Sequence, residues 1–475
     1  LCLVAALFGI LAFGINLEQR TALRRVPMTD LGVYVCAAWA VGSGDDTYTI
    51  RDWHGWHYGY PPALAILFRP LAQPPPPDKP VLPPGTARTE ANTPWGYGID
   101  SHQRFYGLHR ENFRFFIIVA VWYFLSVSLA GLSAHALACG LEGRRMTEGL
   151  PVDAEQRRWW WALRGIPLLV CAGSIGTDFS RGQVDVLMLA AIALALYLVT
   201  VGHHFKAGAF LSVPAAIKLF PALVLLYPLW RRQWRLSLGV ITGLLFLLVL
   251  LPTAAFGPKQ TVELYRTWIH VLAKPAVGLG TDTSRREELT GMNGTDNQSL
   301  LAFIHNWQYH DLPRKKRPAE AAPAARQACY VVGVLMLLGA GIVSGFRKQD
   351  STRELFIIVG LLVGVALVIN PVIHNFYYLL LLPLVAALLD GKLTEAENSA
   401  SVWKLPLVLW VFMLTDLLAR LPTIGPRLRD WGLPLLSMVW MLGAGAAALL
   451  KAESKQTTFT SLENTSEVSM ELNHR

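Results

Sequence analysis

The chain has 475 residues, 53% of them hydrophobic and 11% aromatic, with only 16% charged. Soluble domains carry about 25% charged residues, and here the apolar residues are bunched into runs with no wet face, such as LSLGVITGLLFLLVLL at 236–251. This excludes a soluble enzyme, a nucleic-acid binder and a disulfide-stapled secreted domain. It leaves an all-α polytopic membrane protein, whose net charge of +9 fits basic cytoplasmic loops beside anionic lipid headgroups.

A spanning helix needs about 20 apolar residues. In chain order the predicted spans are 1–17, 113–139, 159–177, 182–201, 235–256, 328–346, 354–369, 372–390, 402–420 and 433–450. The chain enters the first of them directly at Leu1, with no A-x-A site after it. We therefore expect a first span, clipped or begun at an alternative codon, rather than a cleaved signal peptide. Segment 206–230 carries Pro214, Lys218 and Pro221 in its middle. A lysine at the bilayer centre costs about 2.5–3.5 kcal/mol, so the segment is read as two short helices turning near Lys218, which takes the ammonium to a polar surface. The expectation is about 10–12 transmembrane helices.

The distribution of basic residues supports this reading. With the first connection external, the internal loops hold Arg144, Arg145, Arg157 and Arg158, then Lys206. Next come Arg231, Arg232 and Arg235, then Arg347, Lys348 and Arg353, and finally Lys451 and Lys455. Only the short external loop 421–432 dissents, with Arg427 and Arg429. The chain is thus expected to be one membrane domain over 1–451, with long external connections at 18–112 and 257–327. A disordered cytoplasmic tail is expected at 452–475. The first connection holds two helix-like pieces, 30–42 and 61–72, and then a proline-rich extended spacer. No internal repeat is found. The five cysteines (Cys2, Cys36, Cys139, Cys171, Cys329) have no metal-ligand spacing and read as small core residues.

On this topology the unusual polar residues gather at one end of the bundle, which in a membrane protein points to a functional site. Asp30 and Tyr34 share a helix face at i,i+4. Either Thr29 or Asp30 caps that helix, which ends at Gly42 or Gly44. Asp30 reads equally as a complement to the helix N-terminus or as a carboxylate able to take a proton from an acceptor hydroxyl. The following aromatic piece holds His54, His57, Tyr58 and Tyr60 and suits either the headgroup level or a sugar face. The two histidines are metal ligands only with further partners. In GTDFSRGQVD, Arg181 and Asp185 are four apart and can pair, with Asp178 and Gln183 beside them. Arg181 and Lys218 at the outer surface are suited to a lipid phosphate, and His374 can donate to it. Asn297, Gln298 and Ser299 lie in the second connection.

The same residues carry a family resemblance. TDLGVY, YGYPPALAILFRPLA, GQVDVLMLAAIALAL, the hairpin AGAFLSVPAAIKLFPALVLLYPLWRRQWR, NQSL and NPVIHNFYYLLLLPL follow one another over about residues 20–390. Their order resembles glycosyltransferase family 87, within the GT-C superfamily of integral-membrane glycosyltransferases. The resemblance implies transfer of a sugar, mannose in the first instance, from a polyprenyl-phosphate donor to a lipid or glycan acceptor. The reaction would take place on the extracytoplasmic side of the cell membrane, without cofactor or nucleotide sugar. It implies Asp30 as catalytic base and Arg181, Lys218 and His374 at the donor phosphate. Tyr34, Tyr58, Tyr60, Gln183, Asn297 and Gln298 would line the substrate site. The insert around 73–112 is longer than the family pattern. Val184 and Asp185 follow GQ where the family has Asn, so Asp185 receives no role, and Asp178 is the reserve base. A lipid-linked sugar flippase, or a silent scaffold, are the alternatives. A flippase calls for midplane charges and inverted repeats, neither of which the sequence shows.

Overall fold

The computed structural model describes residues 2–23, 29–52, 55–75, 113–276, 284–285, 292, 296–345, 351–395 and 405–451. His54, most of the proline-rich stretch and the tail 452–475 lie outside the described residues. Those described form helices and turns, with no strand beyond two isolated bridges. The molecule is an all-α, multi-pass membrane protein.

Among the described residues, five helices are long and apolar enough to cross a membrane: Phe113–Glu142, Trp234–Phe256, Pro323–Ser344, Thr352–Ile369 and Leu433–Lys451. Their surroundings differ. Thr352–Ile369 is buried from Leu355 to Val368, and Ser351 and Glu354 form a capping box at its start. Trp234–Phe256 and Pro323–Ser344 instead turn Leu238, Ile241 and Phe246, and Val331, Leu335 and Ile342, outward. Such rows of outward apolar side chains suit hydrocarbon and not water. Among the shorter apolar helices, Asp185–Thr200 fills the interior, whereas Leu407–Leu418 buries Leu409 and Phe412 and turns Leu414 and Leu418 outward. Cys36, Cys139, Cys171 and Cys329 are buried free thiols.

Most predicted elements appear where hydrophobic runs placed them, and the departures have local causes. The expected span 159–177 is two helices, Ala154–Val170 and Ala172–Arg181. Pro167 lies inside the first, and the Ser174 backbone N–H donates to Asp416 Oδ2 at 2.8 Å, outside its own helix. The second long connection is more ordered than a loop: it contains helices Pro258–Trp268 and Leu300–Gln308. The break in 206–230 is where expected. Helix His204–Ile217 stops at Lys218, whose backbone is extended (φ −132°, ψ 136°), and Pro221 opens the 3-10 turn Phe220–Leu225.

His204–Ile217 crosses the Trp234–Leu245 segment at backbone contact. A Cβ on Gly208 would stand 2.1 Å from the Leu236 carbonyl oxygen, and one on Gly239 2.1 Å from that of Phe205. Small residues allow this approach in membrane helices. Gly239→Ala is expected to destabilise the fold by about 1–3 kcal/mol, lowering the thermal midpoint in detergent. Gly131→Ala, with nothing within 4 Å of the added carbon, should leave the midpoint in place.

Candidate active site

Three helix ends build the site. Asp30 occupies the first turn of Asp30–Ser43, after Thr29 in the N-cap position and with Gly44 closing the helix. Helix Ala172–Arg181 ends at Gly182, whose φ of 62° reverses the chain so that Asp185–Thr200 starts three residues later. Lys218 arrives from the break between the two short helices.

The Asp30 carboxylate is held from outside its own helix. Gln183 Nε2 donates to Asp30 Oδ2 at 2.5 Å, and Gln183 Oε1 accepts from the Tyr34 hydroxyl at 2.9 Å. Tyr34 and Tyr60 hydroxyls are 3.4 Å apart. The expected i,i+4 partnership of Asp30 and Tyr34 is therefore relayed through the glutamine. Burial pushes the Asp30 carboxyl above its usual range, while Arg181, Lys218, the Gln183 hydrogen bond and Arg20 pull it back.

Two expectations about the cations are corrected. Lys218 does not reach a polar surface: its side chain is 4% exposed, and Nζ donates to Asp185 Oδ1 at 2.8 Å, a carboxylate with 0% exposure. A buried ammonium needs a counter-charge, so Asp185 has a structural role after all. The Tyr377 ring centroid lies 4.4 Å from Nζ and that of Tyr60 5.2 Å. Nor do Arg181 and Asp185 pair. The Gly182 turn puts them on different helices, and Arg181 Nη2 instead lies 2.9 Å from Asp296 Oδ2.

Asp296 was not anticipated, and neither was Arg429, whose Nε is 3.6 Å from Asp296 Oδ1. Partial burial would raise the Asp296 carboxyl, but the two guanidiniums hold it below the usual range. Arg429 is one of the two residues that dissented from the charge pattern. That anomaly was the available signal. The Arg181 guanidinium lies 5.5 Å from the Phe376 ring centroid, on which His374 stacks at 5.2 Å.

The other predicted residues lie around this centre. Asn297 and His374 form an antiparallel bridge. Asn297 Oδ1 accepts from the Ile373 and Ser299 N–H groups, and its Nδ2 donates to Pro371 O. Gln298 Nε2 donates to Arg429 O at 3.1 Å. Both side chains are buried and brace the turn that carries His374. Tyr58 is buried too: it donates to Pro61 O at 2.7 Å and accepts from Ala65 N–H at 3.1 Å. His57 accepts from Arg51 Nε at 2.9 Å. Asp178, the reserve base, has no solvent exposure. Asp30, Tyr34, Tyr60, Gln183, Arg181, Lys218 and His374 thus come together. Asn297, Gln298 and Tyr58 support the walls.

A family profile described as Glycosyltransferase family 87 matches residues 56–371. A polyprenol-phosphate-mannose-dependent alpha-(1-2)-phosphatidylinositol mannoside mannosyltransferase of Mycobacterium tuberculosis (strain ATCC 25618 / H37Rv) is 24% identical over 346 residues, 71% of this chain and 72% of that protein. Among solved structures, ArnT from Cupriavidus metallidurans in the apo state aligns with 94% of this chain and 76% of its own. The identity is 14% and the TM-score 0.31, too loose a likeness to build on. The family match covers well over half of the sequence, and the chain belongs to glycosyltransferase family 87.

Proposed function

We propose that this chain transfers mannose from a polyprenyl-phosphate donor to a hydroxyl of a lipid or glycan acceptor on the extracytoplasmic face of the cell membrane. The observation that carries this reading is the joining of an oriented carboxylate to a cation through one short turn: Gln183 holds Asp30, and Arg181 stands two residues before it. The family match begins after Asp30, so its role rests on this geometry and on the resemblance.

In the proposed reaction Asp30 accepts the proton of the acceptor hydroxyl, whose oxygen attacks the anomeric carbon. The bond from that carbon to the phosphate oxygen breaks, and the polyprenyl phosphate leaves with the electron pair. Arg181 offers a planar donor fork to the departing charge. Lys218, already paired with Asp185, contributes its field, with the Tyr60 ring beside it and His374 stacked on the Phe376 ring that faces Arg181.

Purified protein incubated with radiolabelled polyprenyl-phosphate mannose and membrane lipid extract should yield a labelled lipid or glycan. Movement of donor across vesicles without product would replace this reading with the flippase. Arg181→Gln removes a charge-assisted contact of about 1.5–3 kcal/mol, a roughly 10- to 150-fold rise in donor KM. Arg181→Lys should fall between, because an ammonium keeps the charge and loses the fork.

A further inference from the structure

Arg181 already has an anion beside it. The Asp296 carboxylate lies between Arg181 and Arg429, at 2.9 and 3.6 Å, with its side chain 48% exposed and that of Arg181 23% exposed. The backbone beneath Asp296 is fixed. Gln298 N–H donates to Ile373 O at 2.5 Å, and Asn297 ties the same strand of chain to Pro371 and Ile373. Arg429 is anchored as well, since its Nη1 donates to Ala419 O. Arg429 and the turn are therefore held, whereas the short, half-exposed aspartate side chain can swing out by rotation about its own χ1. A carboxylate and a phosphate present the same oxygen geometry to a guanidinium fork.

We propose that Asp296 is an internal competitor for the donor's phosphate: it keeps Arg181 and Arg429 aligned, and a polyprenyl phosphate displaces it and takes both guanidiniums. The inference rests on the polyprenyl-phosphate reading above. It adds Arg429 as a second phosphate ligand and makes Asp296 the residue that sets donor affinity. Binding becomes an exchange of one anion for another. The donor's phosphodiester carries one negative charge, as a carboxylate does, and its prenyl tail adds binding energy that the carboxylate lacks, so it wins the exchange, while a neutral polyprenol has nothing to offer the arginines. After transfer the carrier is a phosphomonoester of higher charge, and the returning carboxylate means that its release does not leave two arginines facing each other unpaired.

The test measures binding of farnesyl phosphate to the purified full chain in detergent, with farnesol as the neutral control. Asp296→Asn keeps the shape and removes the competing charge. It should tighten farnesyl phosphate binding about three- to fivefold, the scale of a part-exposed ion pair, and leave farnesol unchanged. Arg429→Gln should weaken farnesyl phosphate binding about tenfold, as loss of a charge-assisted contact does, and should cancel the gain when combined with Asp296→Asn. Equal or weaker binding by Asp296→Asn, with the parent chain binding normally, would make Asp296 a brace for Arg181 and overturn the competitor. If Asp296→Asn does not fold, unchanged binding by Arg429→Gln overturns it instead. Failure of the parent chain itself to bind farnesyl phosphate overturns the polyprenyl-phosphate reading.

Discussion

Asp30→Asn should abolish most transfer while leaving a folded protein. A positioned general base contributes about 10²- to 10⁴-fold to rate. The amide keeps the side chain's size and an oxygen for Gln183 Nε2, which now bonds the carboxylate at 2.5 Å, but it cannot take a proton. The check is kcat on polyprenyl-phosphate mannose beside the thermal midpoint: turnover collapses and the midpoint holds. Near-normal turnover would remove Asp30 from the mechanism. The pH profile provides a second readout. Asp30 must be ionised to act, so activity is lost as pH falls through its carboxyl pKa, which burial places above the ordinary 3.8. Gln183→Leu removes a hydrogen bond that lowers that pKa. It should move the acid limb to higher pH, which a loss of packing alone would not do.

Lys218→Met should produce the largest loss of stability. It leaves Asp185, with no exposed surface, as an uncompensated buried charge beside the chain's other site carboxylates. Breaking one side of a buried pair costs about 3–5 kcal/mol, whereas replacing both partners is often close to neutral. Lys218→Met should therefore unfold at a clearly lower temperature or fail to accumulate, and Lys218→Met with Asp185→Asn should regain most of the loss. The double variant also separates two roles. If Lys218 only holds the helices, activity returns with stability. If its field assists the leaving phosphate, kcat stays low in a stable protein. A double variant no more stable than the single one would mean that the pair is not what fixes this break in the bundle.

Helix positions were legible because each depends on its own segment. The runs 235–256 and 354–369 need no distant partner, and the stop near Lys218 follows from two nearby prolines. Asp30, Gln183 and Arg181 were also found, since scarce polar residues stand out in an apolar chain. Pairing was not legible. Asp185 meets a lysine 33 positions on, and Arg181 meets an aspartate 115 positions on. The rule that residues four apart face each other presumes one continuous helix, and Gly182 ends it between Arg181 and Asp185. Arg429 could be seen only as an unexplained charge until the loop bearing Asp296 was brought beside it. Tyr58, Asn297 and Gln298 have the polarity of ligand-binding residues, and only their backbone partners reveal them as braces.

The turn at Gly182 has a mechanical consequence on the roles proposed here. Arg181, Gln183 and Asp185 lie within five residues, and through them one loop sets the phosphate ligand, the clamp on the base and the anchor of the buried lysine. The spacing between the clamp on the base and the phosphate ligand is then fixed by covalent chain length rather than by how the helices settle against one another. Such a gauge tolerates drift in the surrounding bundle. It also confines variation in acceptor size to the parts of the site that other segments build, Tyr60 among them, so a lineage could change what it glycosylates without recalibrating the chemistry.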